Sequence, residues 1–123
     1  MKSYDIIGDI HGRAQELTAL LKKLGYEQQG GVYNHSERMP VFTGDLIDGG
    51  LHNEEVLNIV RPMVDSGSAH AVMGNHEFNA ICYHSLHPDT GQPLREHSTK
   101  NTDQHKSFLQ EFGHRPDKLD EII

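Results

Sequence analysis

Short apolar runs alternate along this chain with longer stretches in which apolar residues recur every three or four positions, the pattern of strands exchanged with helices. Tyr4 to Ile7 is β-prone and leads into a turn over Gly8 to Gly12. Leu17, Leu20, Leu21 and Leu24 then fall on one helical face, and Gly25 stands where a glycine C-cap belongs. Val32 and Tyr33, after Gly30-Gly31, predict one arm of a hairpin whose other arm enters a strand over Val41 to Thr43. Asn53 is placed to cap a second helix, with Glu54 and Glu55 at the positive end of its dipole and Val56, Leu57, Val60, Met63 and Val64 as its buried face. Pro62 lies inside that stripe and should kink the helix or end it early. Ala69 to Met73 predicts a third strand, and Glu77 to about Tyr83 a third helix.

Strand and helix therefore alternate three times, which predicts an α/β fold with a mainly parallel sheet, right-handed crossovers and flanking helices. Ser85 to Asn101 is polar, rich in proline, histidine and threonine, and reads as a long loop. Thr102 or Asp103 can cap a last helix in which His105, Phe108, Leu109 and Phe112 share a face and Gly113 ends the run. Leu119, Ile122 and Ile123 begin a further helical stripe.

At 123 residues and 35% apolar content, residues 1–123 make one domain with a modest core. The net charge of −7 disfavours nucleic acid and anionic membrane as partners. No run of about 18 apolar residues occurs, and the N-terminus lacks the form of a signal peptide, so a cytoplasmic location is expected. The single cysteine, Cys82, leaves no internal disulfide and no cysteine zinc cluster, and it reads as a core residue. Ten histidines carry the metal-binding capacity instead.

That capacity is concentrated where the apolar runs stop. Three of them end in glycine followed by a metal-capable side chain: Gly8-Asp9, Gly44-Asp45 and Gly74-Asn75. A second polar group follows each, giving Asp9 with His11, Asp45 with Asp48, and Asn75 with His76. Successive clusters are spaced by one βαβ step of roughly 30 or more residues. In a parallel sheet all three would meet beyond the carboxyl ends of the strands, where loops converge on ligands. Glycine before each ligand would let the backbone turn sharply and approach an ion. Carboxylate, imidazole and amide oxygen together suit divalent cations of intermediate hardness. The plainer reading is that Asp9, Asp45 and Asn75 cap the helices that follow. Capping leaves His11, Asp48 and His76 unexplained.

Gly8-Asp9-Ile10-His11-Gly12, Gly44-Asp45-Leu46-Ile47-Asp48 and Gly74-Asn75-His76-Glu77 resemble the first three motifs of the calcineurin-like metallophosphoesterases, in the bacterial serine/threonine-phosphatase-like and diadenosine-tetraphosphatase-like branch. The resemblance implies a β-sandwich flanked by helices and two divalent metals, manganese first, with iron, zinc or nickel as alternatives. It implies that Asp9 and His11 bind one metal, Asp45 bridges both, and Asn75 binds the second. His76 would protonate the leaving oxygen, with Asp48 fixing its tautomer. Glu77 would be a first-turn helix residue rather than a ligand. The substrate would be a phosphorylated small molecule or a phosphoprotein.

The chain departs from the family pattern in two places. The second family motif continues Asp-Arg-Gly, whereas Asp48-Gly49-Gly50 stands here, so either another basic residue such as Arg13 or Arg95 grips the phosphate or transition-state binding is weaker. The family's later histidine motif, Gly-His-x-His, is not matched by Gly113-His114-Arg115-Pro116. The expectation is thus a partial sandwich lacking its C-terminal half, with an apolar open sheet face that favours a homo-oligomer. His84, His87 and His97 could swing over the site to complete the ligand set. Two functional readings stay open: a metal-dependent phosphoesterase, and a metal- or phosphate-binding fragment impaired in turnover. A nucleotide-binding α/β module is disfavoured, because no G-x-G-x-x-G or G-x-x-x-x-G-K-[ST] run occurs.

Overall fold

The computed structural model describes residues 3–113 and Arg115, so the stripe expected of Leu119, Ile122 and Ile123 lies outside the described residues. In chain order the elements are β1 (Ser3–Ile7), α1 (Ala14–Lys23), β2 (Glu27–Gln29), β3 (Val32–Asn34), β4 (Arg38–Phe42), α2 (Asn53–Asp65), β5 (His70–Ala71), α3 (Asn75–Tyr83), α4 (Thr99–Gln104) and α5 (Lys106–Phe112). Strands β1, β4 and β5 form a parallel sheet in that spatial order, with Ile7 opposite Phe42 and Phe42 opposite Ala71. The α/β fold with a mainly parallel sheet is as the sequence predicts. The third strand is shorter than expected, since only His70 and Ala71 pair and Val72 and Met73 stand exposed.

Helix α1 buries Ala14, Leu17 and Leu21. It ends in a glycine-capped turn: Gly25 adopts a φ of 93°, its N–H donates to Lys22 O, and the Tyr26 N–H donates to Leu21 O. That turn aims Tyr26 into the interior, where its hydroxyl donates to Asp5 Oδ2 at 2.7 Å. Arg38 of β4 grips the same carboxylate through Nε at 2.8 Å and through a second nitrogen. The Arg38 hydrogen bond, opposed by burial and aided by Tyr26, holds the Asp5 carboxyl down at about 2.

The hairpin differs from the expectation. Gly30 and Gly31, both at positive φ, are its two-residue turn, and β2 pairs with β3 rather than with the strand at Val41. Two consecutive left-handed residues are what a tight hairpin demands, so the glycines close a local pair instead of introducing a distant one. Helix α2 buries Val56, Val60 and Met63, but Val64 faces solvent, and Pro62 does not end the helix.

Asn53 does not cap that helix. His52 is the capping position, and Asn53 is wholly buried with its amide committed elsewhere. The exposed helix N–H groups are satisfied from afar: Asn53 N donates to Glu111 Oε2 at 2.7 Å and Glu54 N to Glu111 Oε1 at 3.0 Å. A carboxylate at the positive end of α2 is favourable on both counts, hydrogen bonding and dipole.

The long loop is more ordered than its composition suggests, with Leu86 bridging Pro93 and α4 starting at Thr99 behind an Ser98 cap that accepts from Asn101 N. His105 breaks the last helix into α4 and α5. Phe108 and Phe112 of α5 complete a core that includes Ile7, Leu17, Leu21, Phe42, Val56 and Met63. On the other side of the sheet, Tyr4 and Ile6 are 58% and 68% exposed. Cys82 is only half-buried, not a core residue, since the buried positions of α3 are Ala80 and Tyr83.

Candidate metal centre

The three glycine-ended turns meet beyond the carboxyl ends of β1, β4 and β5. Backbone hydrogen bonds lace the first two together: Ile10 N and His11 N both donate to Asp45 O, and Gly12 N donates to Leu46 O. The third is locked to the second through its side chain, since His76 N donates to Asp45 Oδ1 at 2.9 Å. Two of the glycines make this approach possible. A Cβ on Gly44 would lie 2.2 Å from Gly74 N, and one on Gly74 would lie 2.4 Å from Asp45 N. Gly8 differs from the expectation: its Cβ position is open, and its φ is not positive, so no side chain is excluded there. None of the ligand candidates caps a helix, because the capping positions are Arg13, His52 and Gly74.

Asp9, His11 and Asp45 bring one ligand atom each within 4.8 Å of one another. His11 Nδ1 lies 3.0 Å from Ile47 O, a carbonyl that can only accept, so the ring carries its proton on Nδ1 and leaves the Nε2 lone pair free. That Nε2 stands 3.5 Å from Asp9 Oδ2. Two carboxylates and an imidazole oriented by a backbone carbonyl form a donor set that fits a divalent cation of intermediate hardness. Asn75 opens α3 next to this group, is exposed, and makes no side-chain hydrogen bond among the described residues. The only described non-glycine residues at positive φ are His11 at 48°, Asp45 at 54° and Asp48 at 71°. All three lie in the strand-end turns of this one constellation.

Beside the trio lies an acid–base pair. His76 Nδ1 is 2.9 Å from Asp48 Oδ2, and the His76 ring meets the His11 ring edge-on at 4.7 Å between centroids. Asp48 is buried, and its other oxygen lies 2.6 Å from His105 Nδ1. Its backbone N–H donates to Asn53 Oδ1 at 3.0 Å, while Asn53 Nδ2 donates to Ser107 Oγ. These contacts explain why Asn53 is buried. The sequence presented His105 only as a packed helix position, and at a separation of 57 positions from Asp48 it gave no signal of the pairing.

Glu77 does more than favour a helix terminus. Its carboxylate accepts from Asp45 N, Leu46 N and Gly74 N, so it ties the second turn to the third. The sequence signal was present, since glutamate at the third helical position commonly satisfies the capping N–H.

Among the described residues, the other histidines stay off the ligand trio. His84 Nε2 lies 3.0 Å from His105 Nε2, His97 stacks on Tyr83, and His87 accepts from Asp89 N on the surface. His35 accepts from Glu37 N and Arg38 N, and His52 sits near Glu55. Burial, then the neighbouring His105 and His97, push the His84 imidazole down to about 4. Of the two arginines weighed as phosphate grips, Arg13 lines a groove with Asp9, whereas Arg95 lines a small cleft with Asp48, Asn79 and His76. Arg95 is held by the neutral oxygens of Asn101 and Gln104.

A parallel sheet whose strand ends gather Asp, His and Asp beside an Asp–His pair offers a divalent cation a donor set next to an oriented imidazole. The family model of calcineurin-like phosphoesterases matches residues 3–119, and the chain belongs to that family. Over 74 residues it is 49% identical to bis(5'-nucleosyl)-tetraphosphatase PrpE [asymmetrical] of Halalkalibacterium halodurans, covering 59% of this chain and 30% of that protein. The Bacillus subtilis protein of the same name is 48% identical over 75 residues, covering 60% and 31%. The chain thus spans about 30% of the length of these curated relatives. Among solved structures, a cold-active protein tyrosine phosphatase matches with a TM-score of 0.59 at 25% identity, over 97% of this chain and 33% of that one.

Proposed function

We propose that this chain carries a metal-dependent phosphoesterase centre that hydrolyses phosphate esters, with a dinucleoside polyphosphate or related nucleotide as the substrate class. The observation that carries the reading is the juxtaposition of the Asp9–His11–Asp45 ligand group with the His76–Asp48 pair, ring against ring at His11 and His76. Asp9, His11 and Asp45 would hold one cation, and Asn75, with Asp45, would hold a second. Divalent cations there, manganese first, supply Lewis-acid polarisation of the phosphoryl group and a more acidic water. His76, in its imidazolium form with Nδ1–H donated to Asp48, gives the Nε2 proton to the leaving oxygen as general acid and is left as the neutral Nδ1–H tautomer. Arg95, whose charge meets no carboxylate among the described residues, takes the phosphate contact that Gly49 cannot make. The nucleotide preference is supported by the tetraphosphatase relatives, whose matched portion is long enough to span all three strand ends.

A second reading is favoured by one observation: the ligand cluster offers three side chains, fewer than two metals require. On that reading the chain binds metal or phosphate without efficient turnover. Neither reading involves nucleic acid or membrane as a partner, and among the described residues no helix is long and apolar enough to cross a membrane. The open face at Tyr4 and Ile6 supports self-association, which light scattering at tens of micromolar would detect as a dimer or larger species.

Hydrolysis of p-nitrophenyl phosphate and of a dinucleoside tetraphosphate with added manganese separates the readings. Manganese-dependent release of product, lost in Asp45→Asn and reduced about a hundredfold or more in His76→Ala, supports the enzyme. Folded protein with no turnover above those variants supports the binding fragment.

A further inference from the structure

Asp48 is the one buried carboxylate of the site, 5% exposed, and it meets two imidazoles rather than one. His76 Nδ1 stands 2.9 Å from Oδ2, and His105 Nδ1 stands 2.6 Å from Oδ1. A carboxylate held by a single donor can still turn about its Cβ–Cγ bond. A second donor on the opposite oxygen fixes its plane and leaves neither oxygen without a partner. His105 is itself held on three sides: its ring stacks on Phe108 at 4.4 Å, touches Tyr83, and sets Nε2 3.0 Å from His84 Nε2. A row His84–His105–Asp48–His76 therefore runs from the start of the long loop into the site.

We propose that His105, oriented by His84, is a positioning residue for His76 and acts through Asp48. This rests on the reading of His76 as the group that serves the leaving oxygen. Packing alone accounts for the stack on Phe108, but it does not account for a ring nitrogen aimed at the carboxylate oxygen that His76 leaves free. His105 presents an Nδ1–H to Asp48, because a carboxylate only accepts. The His84 imidazole stays neutral at physiological pH, as its lowered proton affinity requires, and completes the hold from behind. The result is a carboxylate whose Oδ2 points at His76 Nδ1 before substrate arrives.

The test reads histidine tautomers by nitrogen-15 NMR on the whole chain without added metal, so it does not depend on turnover. In the wild type, His76 and His105 are both expected as Nδ1–H tautomers. His105→Asn places an amide N–H where Nδ1 stood and should keep His76 in that form. His105→Phe preserves the stack, removes the donor, and should leave His76 as a mixture of Nδ1–H and Nε2–H forms. In the hydrolysis assay the same variant should lose about tenfold or more in kcat with KM nearly unchanged, and His105→Asn should recover most of it. A bare Nδ1 on wild-type His105, or a folded His105→Phe protein whose His76 keeps the wild-type tautomer, overturns the proposal. Should His105→Phe not fold, the wild-type His105 tautomer and the His105→Asn spectrum decide. Absence of turnover with these tautomers intact would count against the phosphoesterase reading and leave the positioning of His76 standing.

Discussion

The Glu77 carboxylate receives the backbone N–H of Asp45, a residue held at a φ of 54°, and so fixes a left-handed turn at the centre of the site. It also receives Leu46 N at 2.8 Å and Gly74 N at 2.9 Å. One side chain on α3 thereby sets the geometry of a ligand on the loop after β4. Removing it leaves several partly buried donors without an acceptor, and hydrogen bonds to a charged group contribute about 1.5–3 kcal/mol each. Glu77→Ala should therefore destabilise the fold by about 2–4 kcal/mol in urea denaturation and weaken metal binding, although Glu77 touches no metal.

The contact between Gly44 and Gly74 gives a second prediction. Alanine at Gly74 would put a methyl group 2.5 Å from Asp45 Oδ1, so Asp45 must move. Gly74→Ala should cost about 1–3 kcal/mol and abolish manganese binding by calorimetry. Gly8→Ala, at a position with open space and ordinary φ, should leave both stability and binding close to the wild type.

Asn53 supplies a third. It is wholly buried, with Oδ1 accepting from Asp48 N and Nδ2 donating to Ser107 Oγ. Asn53→Leu, near in volume but without polar atoms, orphans the Asp48 N–H, leaves Ser107 Oγ with Gly49 N alone, and should destabilise by about 2–4 kcal/mol in thermal or urea unfolding. Asn53→Asp should also destabilise, because Ser107 would lose its donor and a charge would be buried near Asp48.

The pH dependence of stability is set partly by His84. Its folded proton affinity is pushed down to about 4, against an ordinary value of 6.5, chiefly by burial. Below pH 6.5 the unfolded chain takes up a proton that the folded chain refuses, so stability falls as pH drops from about 6.5 to 4. The loss should be on the order of 2 kcal/mol and should shrink in His84→Phe. Asp5 acts in a lower window: its carboxyl is depressed to about 2, mainly by the Arg38 hydrogen bond, so the stability it contributes is present above pH 4 and is lost between 4 and 2. Denaturation midpoints of His84→Phe and Asp5→Asn measured across pH 2–7 separate the two windows.

Much of the centre was legible because it is written locally. Each ligand candidate follows an apolar run within a residue or two, and the βαβ spacing carries the three clusters to one end of the sheet. The α1 cap at Gly25 was readable for the same reason. What could not be read depends on partners far along the chain. The cap on α2 comes from Glu111, 58 residues beyond Asn53, and the second donor to Asp48 comes from His105. Asn53 looks like a cap by local propensity, and tertiary packing gave its side chain a different partner. The hairpin was misread because Gly30-Gly31 can either precede a strand or close a two-residue turn, and β2, Glu27-Gln28-Gln29, carries no apolar signal.

The most direct test of the account is a manganese titration of the 123-residue chain, followed by calorimetry or by electron paramagnetic resonance, beside Asp45→Asn. The substitution keeps an oxygen to accept from His76 N and so removes charge with little else. The account predicts saturable manganese binding in the wild type that is weakened at least about tenfold in Asp45→Asn while the unfolding midpoint changes little. Equal binding by both proteins, or none by the folded wild type, would contradict a metal centre built from Asp9, His11 and Asp45.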